Sequence, residues 1–240
     1  MAKMLFVKQL NKSFGGLQAN QNINFDVSQG EILGVIGPNG AGKSTLFDLL
    51  TGFEKPDSGD VFFQDRLIVG MRPDQINRLG VGRTFQKLKP FPQMTVEENV
   101  MVGVMQHNSR MKDARVEAHG YLEFVGLLDK FHVYAHGLST GQRKRLELAR
   151  AMASKPKLLL MDEVTGGVDQ KTVPELVKLI EKLRKEGITV ILIEHNMQVL
   201  MSLADSVLAL HLGQQIAYGT PQQIQADKNV IESYLGASYA

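Results

Sequence analysis

Two patterns of apolar residues predict two kinds of β-strand in this chain. Apolar and polar positions alternate at Met4–Val7 and Ile23–Val27, and again at Val61–Ile68, as expected for half-buried strands of an antiparallel sheet. The runs Leu158–Met161 and Ile188–Ile193 are instead continuously apolar, which is typical of central parallel strands covered by helices on both faces. The pattern therefore predicts an α/β fold with an antiparallel part and a parallel core.

A helix is predicted between the two continuously apolar strands. Thr172 and Glu175 have the spacing of a capping box, and Gly187 marks the end of the helix. Strand, helix and strand in this order predict a right-handed parallel unit. Four apolar residues share one face of this helix, namely Leu176, Leu179, Ile180 and Leu183.

The segment from Thr95 to Ala153 has helical periodicity and no strong strand pattern. We interpret it as a helical lobe, about 95–153, inserted into a single domain whose core lobe comprises 1–94 and 154–240. The end of the chain predicts a strand, a turn and a short helix, at Val207–Leu210, Leu212–Gln215 and Thr220–Gln223.

The composition of the chain excludes several classes of function. With 43% hydrophobic and 22% charged residues the chain can bury a real core, and a formal net charge of +2 is too small for a broad nucleic-acid-binding surface. The absence of cysteine excludes disulfides and thiolate metal sites. No apolar run approaches the roughly 18 residues that span a bilayer, and Met1–Leu10 lacks a signal-peptide core. Any membrane role is therefore expected to depend on a partner.

The strongest chemical signal is a glycine-rich loop that follows the apolar strand Ile32–Ile36. Its pattern, G-x-x-x-x-G-K-[ST], lets successive backbone N–H groups point at phosphate oxygens, and a helix from Ser44 onward adds its positive end. The sequence therefore predicts nucleoside triphosphate binding, with Lys43 neutralising the outer phosphates and Ser44 ligating Mg²⁺. The alternative is an ordinary glycine-rich turn. The loop comprises Gly37, Pro38, Asn39, Gly40, Ala41, Gly42, Lys43, Ser44 and Thr45.

An acidic pair, Asp162 and Glu163, follows the apolar strand that ends at Met161. Open parallel sheets hold their ligands at the carboxyl ends of the strands, so this pair is expected beside the phosphate loop. Asp162 would hold Mg²⁺ through water, and Glu163 would orient or deprotonate the water that attacks the γ-phosphate. Taken alone, such a pair is more often a solvated strand end.

The most discriminating motif is Leu138–Gln142, a Ser-Gly turn followed by a helix with Leu146, Ala149 and Met152 on one face. A capped surface helix is the plain alternative. With this motif the whole chain resembles the ATP-binding subunits of ABC transporters. The resemblance implies a P-loop NTPase fold with a RecA-like parallel core, an antiparallel β flap and an inserted α-helical subdomain. It also implies that two subunits face head to tail around ATP and Mg²⁺.

The resemblance gives the signature turn a role in the facing subunit. Ser139, Gly141 and Gln142 would act in trans on the γ-phosphate held by the partner. Asp169 matches the D-loop aspartate, which contacts the other subunit.

Three further residues match functional positions of the family. Gln86 matches the Q-loop glutamine that can ligate Mg²⁺, and His195 matches the switch histidine that contacts the γ-phosphate. Both would join Lys43 and Glu163 in the catalytic set, whereas Phe14 would stack on adenine. Taken singly, a strand-end histidine or an exposed aromatic residue is more often structural.

Some residues depart from the commonest family pattern. Thr140 replaces a frequent glycine in the signature turn, and we expect activity to survive this change. Val164 replaces the proline that usually follows the catalytic glutamate, and Gly167 replaces a common leucine before Asp169. Both could loosen the D-loop and so the coupling between subunits.

Within the family the chain looks like the ATPases of branched-chain amino-acid importers, and ATPases of urea or lipopolysaccharide transport share much of its pattern. The implied partners are a second ABC subunit, identical or a sister chain, integral membrane permeases and an extracytoplasmic solute-binding protein. The implied location is the cytoplasmic face of the membrane, and no nucleic acid is expected. The resemblance rests on Phe14–Leu17, Arg83–Gln86, Phe91–Pro92, Thr95–Val100, Ile193–Met197 and Tyr218–Pro221.

Other classes remain as alternatives. A soluble ABC ATPase acting on nucleic acid or ribosomes usually carries a long coiled-coil insert or two tandem cassettes, and a P-loop kinase or GTPase would share the phosphate loop alone. A non-hydrolysing cassette is disfavoured by Lys43, Glu163 and His195. The segment Lys87–Met94 is a candidate surface for the membrane partner, with a packed loop as its alternative.

Overall fold

One continuous sheet organises the computed structural model, which describes residues 3–85 and 90–235. Across the sheet the strands of these ranges follow the order β5-β4-β1-β2-β10-β9-β3-β8-β7-β6. The strands are β1 (Lys3–Phe14), β2 (Leu17–Ser28), β3 (Ile32–Ile36), β4 (Ser58–Phe63), β5 (Arg66–Leu67), β6 (Val81–Arg83), β7 (Leu158–Asp162), β8 (Thr189–Ile193), β9 (Ser206–His211) and β10 (Gln214–Gly219).

Helices connect these strands. In chain order they are α1 (Lys43–Leu50), α2 (Pro73–Leu79), α3 (Val96–Val104), α4 (Met111–Phe124), α5 (Thr140–Met152), α6 (Val173–Lys185), α7 (Met197–Leu203), α8 (Pro221–Ala226) and α9 (Lys228–Leu235).

The sheet has an antiparallel half and a parallel half, as the apolar patterns predict. Strand β1 pairs antiparallel with both β2 and β4, whereas β9, β3, β8, β7 and β6 pair parallel in that order. Strand β10 closes the parallel half as a hairpin on β9 and meets β2 at the pair Gln214 and Gln21. Every residue of β3, β7 and β8 is buried, because helices cover both faces of these strands.

The side chains of the central strands pack into two apolar cores, one on each face of the sheet. Leu159 and Met161 of β7 point into a core shared with helices α3 to α6, whereas Leu158 and Leu160 point into a core shared with α1 and the antiparallel strands. The carboxyl ends of β3, β7 and β8 therefore meet at one well-supported edge of the sheet.

The segment Val61–Ile68 lies in the antiparallel half of the sheet, as predicted, but it is not one unbroken strand. Strand β4 ends at Phe63, and Gln64 and Asp65 have positive φ angles of 47° and 61°. A two-residue turn with both φ angles positive folds the chain back into a hairpin with β5.

The prediction of a capping box formed by Thr172 and Glu175 is wrong. Thr172 has helical dihedral angles and its side chain does not cap α6. The carboxylate of Asp169 instead accepts hydrogen bonds from the Thr172 amide and hydroxyl, both at 2.9 Å. Asp169 therefore closes the turn that precedes α6, and Glu175 pairs with Arg145 of α5.

The segment predicted to be helical contains α3, α4 and α5, which pack together through Val100, Ala118, Leu122 and Leu146. The bounds of the helical lobe stay a prediction. The turn at Leu212–Gln215 and the short helix opened by Thr220 are both present. Within the described ranges, none of the helices combines the length and the apolar character needed to cross a bilayer.

Candidate functional site

A cleft of about 390 Å³ lies where the central strands end. Its walls include the phosphate loop from Asn39 to Thr45, the pair Asp162 and Glu163, His195 and the ring of Phe14. Residues predicted from separate parts of the sequence thus lie around one cavity. Gly37 and Pro38 form the base of the loop behind this wall.

Two glycines allow the phosphate loop to take its shape. Gly37 and Gly42 have φ angles of 153° and 100°. A Cβ atom would lie 2.3 Å from the Leu210 carbonyl oxygen at the first position and 2.1 Å from the Ala19 carbonyl oxygen at the second. Any side chain would clash with backbone at both positions, which is why the pattern requires glycine there.

Helix α1 begins directly after this loop with its N-terminus open to the cleft. Gly42 is its N-cap and supplies no side-chain hydrogen bond, and the first turn holds no acidic residue. Ser44 and Thr45 of that turn line the cleft. Free amide donors and the positive end of the helix dipole therefore make this edge an anion-binding surface.

Lys43 is buried against the loop that it follows. Its ammonium donates to the carbonyl oxygens of Gly37 and Pro38, at 2.7 and 3.0 Å, and the residue is 8% exposed. Burial lowers the pKa of Lys43, although the carboxylates of Glu163 and Asp162 oppose that shift. The cation is thus held where phosphate oxygens would meet the loop.

Asp162 ends β7 as a buried carboxylate, 4% exposed. The backbone amide of Asp162 donates a hydrogen bond to the Thr84 hydroxyl oxygen at 3.2 Å. Burial raises the pKa of Asp162, with Arg83 opposing the shift and Glu163 adding to it. A divalent cation beside this carboxylate would favour its charged form.

The donor set fits Mg²⁺ held together with a nucleotide. Ser44 and Asp162 offer oxygen ligands on the same cleft. Among the described residues, no group of three or more histidine, aspartate or glutamate side chains could hold a metal by itself. Phosphate oxygens and water would therefore have to complete the coordination shell. Gln86, the other predicted ligand, lies outside the described residues.

Glu163 and His195 form a pair across the ends of β7 and β8. Oε1 of Glu163 lies 2.7 Å from Nε2 of His195, and the Glu163 amide donates to the Ile193 carbonyl at 2.9 Å. Glu163 has a φ angle of 50°, a left-handed conformation that costs a non-glycine residue roughly 1–2 kcal/mol. Such strain at a cleft is typical of residues that the fold holds for function.

Sequence reasoning missed Glu194, which fixes the turn after Glu163. This carboxylate is 3% exposed and accepts hydrogen bonds from the amide and the hydroxyl of Thr165, both at 2.7 Å. An acidic residue that directly continues an apolar strand was the available signal. Val164 is buried in the same turn, and Gly167 has a φ angle of 72°. The effect of these two departures on the subunit coupling stays a prediction.

The signature turn lies outside the cleft. Ser139 caps α5, since its hydroxyl oxygen accepts from the Gln142 amide at 3.3 Å while its own amide donates to the Gln142 side chain at 3.0 Å. A Cβ atom on Gly141 would lie 2.9 Å from the Thr172 methyl group, and Thr172 is the residue held by Asp169. The signature turn and the D-loop therefore adjoin each other and leave the chain's own cleft to other residues.

Helix α5 also carries two buried charges that the sequence analysis did not single out. The Lys144 ammonium donates to the Glu163 carbonyl at 2.6 Å, and Oε1 of Glu147 accepts from the Phe85 amide at 2.7 Å. Each residue is 7% exposed. Burial raises the pKa of Glu147 to about 6, against the opposing effects of the Phe85 amide and Lys144. Flanking arginines make this stretch look like a solvated face in the sequence.

Phe14 lies at the end of β1 on the rim of the cleft and is 44% exposed. The Lys12 ammonium lies 4.9 Å from the centre of its ring. The position is compatible with stacking on a flat base at the mouth of the cleft.

A phosphate loop between a buried parallel strand and a helix, with an acidic pair at the end of β7, which is separated from β3 by β8 alone, defines a P-loop nucleoside triphosphatase. The family described as ABC transporter matches residues 20–166, and the family described as branched-chain amino acid ATP-binding cassette transporter matches residues 214–240. The chain belongs to the ABC transporter family, as an ATP-binding subunit that hydrolyses ATP.

Relatives and solved structures extend this result over the whole chain. LivG of Escherichia coli K12, a high-affinity branched-chain amino acid transport ATP-binding protein, is 39% identical and the match covers 97% of this chain and 98% of LivG. BraF of Pseudomonas aeruginosa, which carries the same description, is 38% identical with the same coverage. The ADP conformation of the cassette MJ1267 superposes with a TM-score of 0.89 at 31% identity, covering 98% of this chain and 100% of that one. The dimeric cassette MJ0796 gives a TM-score of 0.83 at 27% identity, covering 91% and 99%.

Proposed function

We propose that this chain powers the import of branched-chain amino acids through separate permease subunits at the cytoplasmic face of the membrane. The observation that carries the proposal is the similarity to LivG over nearly the full length of both chains, together with the family match at residues 214–240. An extracytoplasmic solute-binding protein would deliver the cargo to the permease.

The test is ATP-dependent uptake in a reconstituted system. The chain is placed in vesicles with the permeases and the solute-binding protein that co-purify with it, and uptake of radiolabelled leucine, isoleucine and valine is compared with uptake of urea. Uptake of the branched-chain amino acids is expected. The same vesicles without ATP are the control and should show no uptake. Transport of urea or a lipopolysaccharide precursor instead would overturn the assignment of cargo.

The proposed reaction begins with nucleotide binding at the phosphate loop. Free backbone amides of the phosphate loop and of the first turn of α1 would hold the β- and γ-phosphates, and Lys43 would neutralise their charge. Ser44, Asp162 and Gln86 would hold Mg²⁺, which supplies charge neutralisation at the phosphate oxygens when bound. Phe14 would pack against the adenine ring.

Glu163 would then orient and deprotonate the attacking water. Its hydrogen bond with His195 fixes the direction of the carboxylate, and the switch role of His195 would place its ring at the γ-phosphate. The buried walls around Asp162 exclude bulk water from the rest of this edge.

The signature turn would act on nucleotide in a second subunit. Ser139, Gly141 and Gln142 lie outside the chain's own cleft, and the solved MJ0796 cassette is dimeric. Two subunits would close around ATP, move the permeases, hydrolyse ATP and reopen. Asp169, which holds Thr172 beside the signature turn, would contact the partner.

A second groove, about 580 Å³, is the proposed docking site for a cytoplasmic helix of the permease. It lies between α2 and the end of α3, with Phe53, Ile76 and Phe85 among its lining residues and Asp74 and Arg78 on α2. An amphipathic helix could bury its apolar face there and pair its charges with the α2 side chains. In the sequence, Phe85 of this lining lies two positions before the predicted segment Lys87–Met94, of which residues 87–89 lie outside the described ranges.

The cysteine-free sequence makes this docking site testable by cross-linking. A cysteine at Arg78 is expected to cross-link to the permease in the assembled complex, and a cysteine at exposed Lys185 on α6 is the control. Equal cross-linking at both positions would contradict the assignment of the groove.

A further inference from the structure

We propose that Lys144 is a positioning residue for ATP hydrolysis, which holds the backbone of Glu163 to the helix that carries the signature turn. The proposal rests on the proposed function of Glu163 and of that turn. In this role, Lys144 connects the signature turn, which would contact nucleotide in the partner's site, to Glu163 in the chain's own site.

The environment of Lys144 is unusual for a lysine. Long cationic side chains are rarely buried unless they are paired, yet Lys144 is 7% exposed. Its ammonium donates to the Glu163 carbonyl oxygen at 2.6 Å and has the carboxylates of Glu147 and Asp162 as charged neighbours. The side chain thus reaches from a helix surface into the turn that follows β7.

Glu163 needs such support because its backbone is in the left-handed region, with a φ angle of 50°. Its amide donates to the Ile193 carbonyl at 2.9 Å, and its carbonyl accepts from the Gly166 amide at 3.1 Å as well as from Lys144. The first two bonds come from the loops at the strand ends. The bond from Lys144 comes from α5, so it ties the position of Glu163 to the position of that helix.

The signature turn and Lys144 lie within the first turns of the same helix. Ser139 caps α5, and Lys144 follows Gln142 by two positions. One turn further on, Glu147 binds the Phe85 amide, directly before Gln86 in the sequence. A rigid movement of α5 when the signature turn meets the partner's nucleotide would therefore reach both Glu163 and the segment after Phe85.

A structural role alone is the alternative, in which Lys144 only neutralises Glu147 and Asp162. The two accounts differ in their kinetics. A positioning role affects the chemical step through Glu163, whereas a purely structural role lowers stability and leaves kcat of the folded protein near the parental value.

The experiment measures kcat, KM, ATP affinity and thermal midpoint for Lys144→Met and Lys144→Arg in the full chain. Misplacement of the carboxylate is expected to lower kcat of Lys144→Met about 10- to 100-fold while KM and ATP affinity change by less than about threefold. Lys144→Arg keeps a donor for the Glu163 carbonyl and is expected to recover most of the loss. Lys157→Met is the matched control, because Lys157 precedes β7 at the opposite end and donates to Gln64.

A double-mutant cycle with Glu163→Gln separates the two accounts further. If Lys144 acts through Glu163, adding Lys144→Met to Glu163→Gln lowers the residual rate no further. An equal loss in both backgrounds would show that Lys144 acts independently and would overturn the proposal.

A second variant keeps the test valid if Lys144→Met does not fold. Lys144→Met combined with Glu147→Gln removes both buried charges and retains an acceptor for the Phe85 amide. The same loss of kcat is expected, and a parental kcat would overturn the proposal. The proposed function stands if the parent hydrolyses ATP and Glu163→Gln abolishes that hydrolysis. If the Lys144 variants then keep the parental kcat, the role of Lys144 is refuted and the proposed function is not.

Discussion

At the scale of single residues, the hydrogen bond between Glu163 and His195 has the clearest chemical consequence. Nε2 of His195 lies 2.7 Å from Oε1 of Glu163, and this contact fixes the direction of the carboxylate that the proposed function uses as the base. Glu194 supports this arrangement by holding Thr165, and both glutamates are fixed by neighbouring strand ends.

Glu163→Gln is expected to abolish most hydrolysis while preserving ATP binding. An amide retains the shape and the hydrogen bond to His195 but cannot take a proton, so kcat should fall about 100- to 10,000-fold. Phosphate release measures the rate, and ATP-dependent dimerisation by size exclusion measures binding. A variant that hydrolyses ATP at the parental rate would show that Glu163 is misassigned.

Single residues also show what the sequence could not reveal. Gly37, Gly42 and Lys43 were predicted because a phosphate-binding loop restricts residue type at fixed spacing. Glu194 and Lys144 were missed because their roles depend on the packing of neighbouring strands and helices, which no local pattern encodes.

At the scale of elements, helix α5 connects three parts of the molecule. Its N-terminus is the signature turn, its buried charges reach the loops that follow β6 and β7, and its apolar face packs against α3 and α4. Periodicity predicted the helix and its apolar face but did not predict that Lys144 and Glu147 are buried. The capping of α6 was mispredicted for a similar reason, because the Thr172 hydroxyl donates to Asp169 and makes no capping hydrogen bond to the helix.

The buried carboxylate of α5 predicts a specific pH dependence. The pKa of Glu147 is raised by burial from 4.5 to about 6, so the folded state binds this proton more tightly than the unfolded state. The group's contribution to stability is therefore full below about pH 4.5 and is lost as the pH rises through 6.

Glu147→Gln removes this charge and should raise the free energy of unfolding at pH 8 by up to about 2 kcal/mol, with little difference at pH 4.5. Urea denaturation at both pH values measures the change. Glu123→Gln, on the exposed side of α4, is the control and should change stability by less than about 0.5 kcal/mol. An equal effect of Glu147→Gln at both pH values would contradict the account.

At the scale of the whole molecule, the cleft and the signature turn lie apart, and the proposed function makes them the two halves of a site shared by two chains. The cleft holds the phosphate loop, the acidic pair and the switch histidine, while the signature turn lies elsewhere on the surface. The alternating and continuous apolar patterns predicted the two halves of the sheet, since burial on one face or on both dictates them. The apolar patterns do not predict that the signature turn lies apart from the cleft, because this depends on the path of the chain. The family resemblance alone implied it.

Complementation between two inactive variants tests this arrangement most directly. Glu163→Gln lacks the hydrolytic carboxylate, and Ser139→Arg blocks the signature turn at an exposed position. Homodimers of either variant should be nearly inactive, because both of their sites are damaged. In a mixed dimer, the intact cleft of the Ser139→Arg chain meets the intact signature turn of the other chain. An equimolar mixture is therefore predicted to regain about a quarter of the parental ATPase rate. If the mixture stays as inactive as the separate variants, each chain completes its own site and the shared site is refuted.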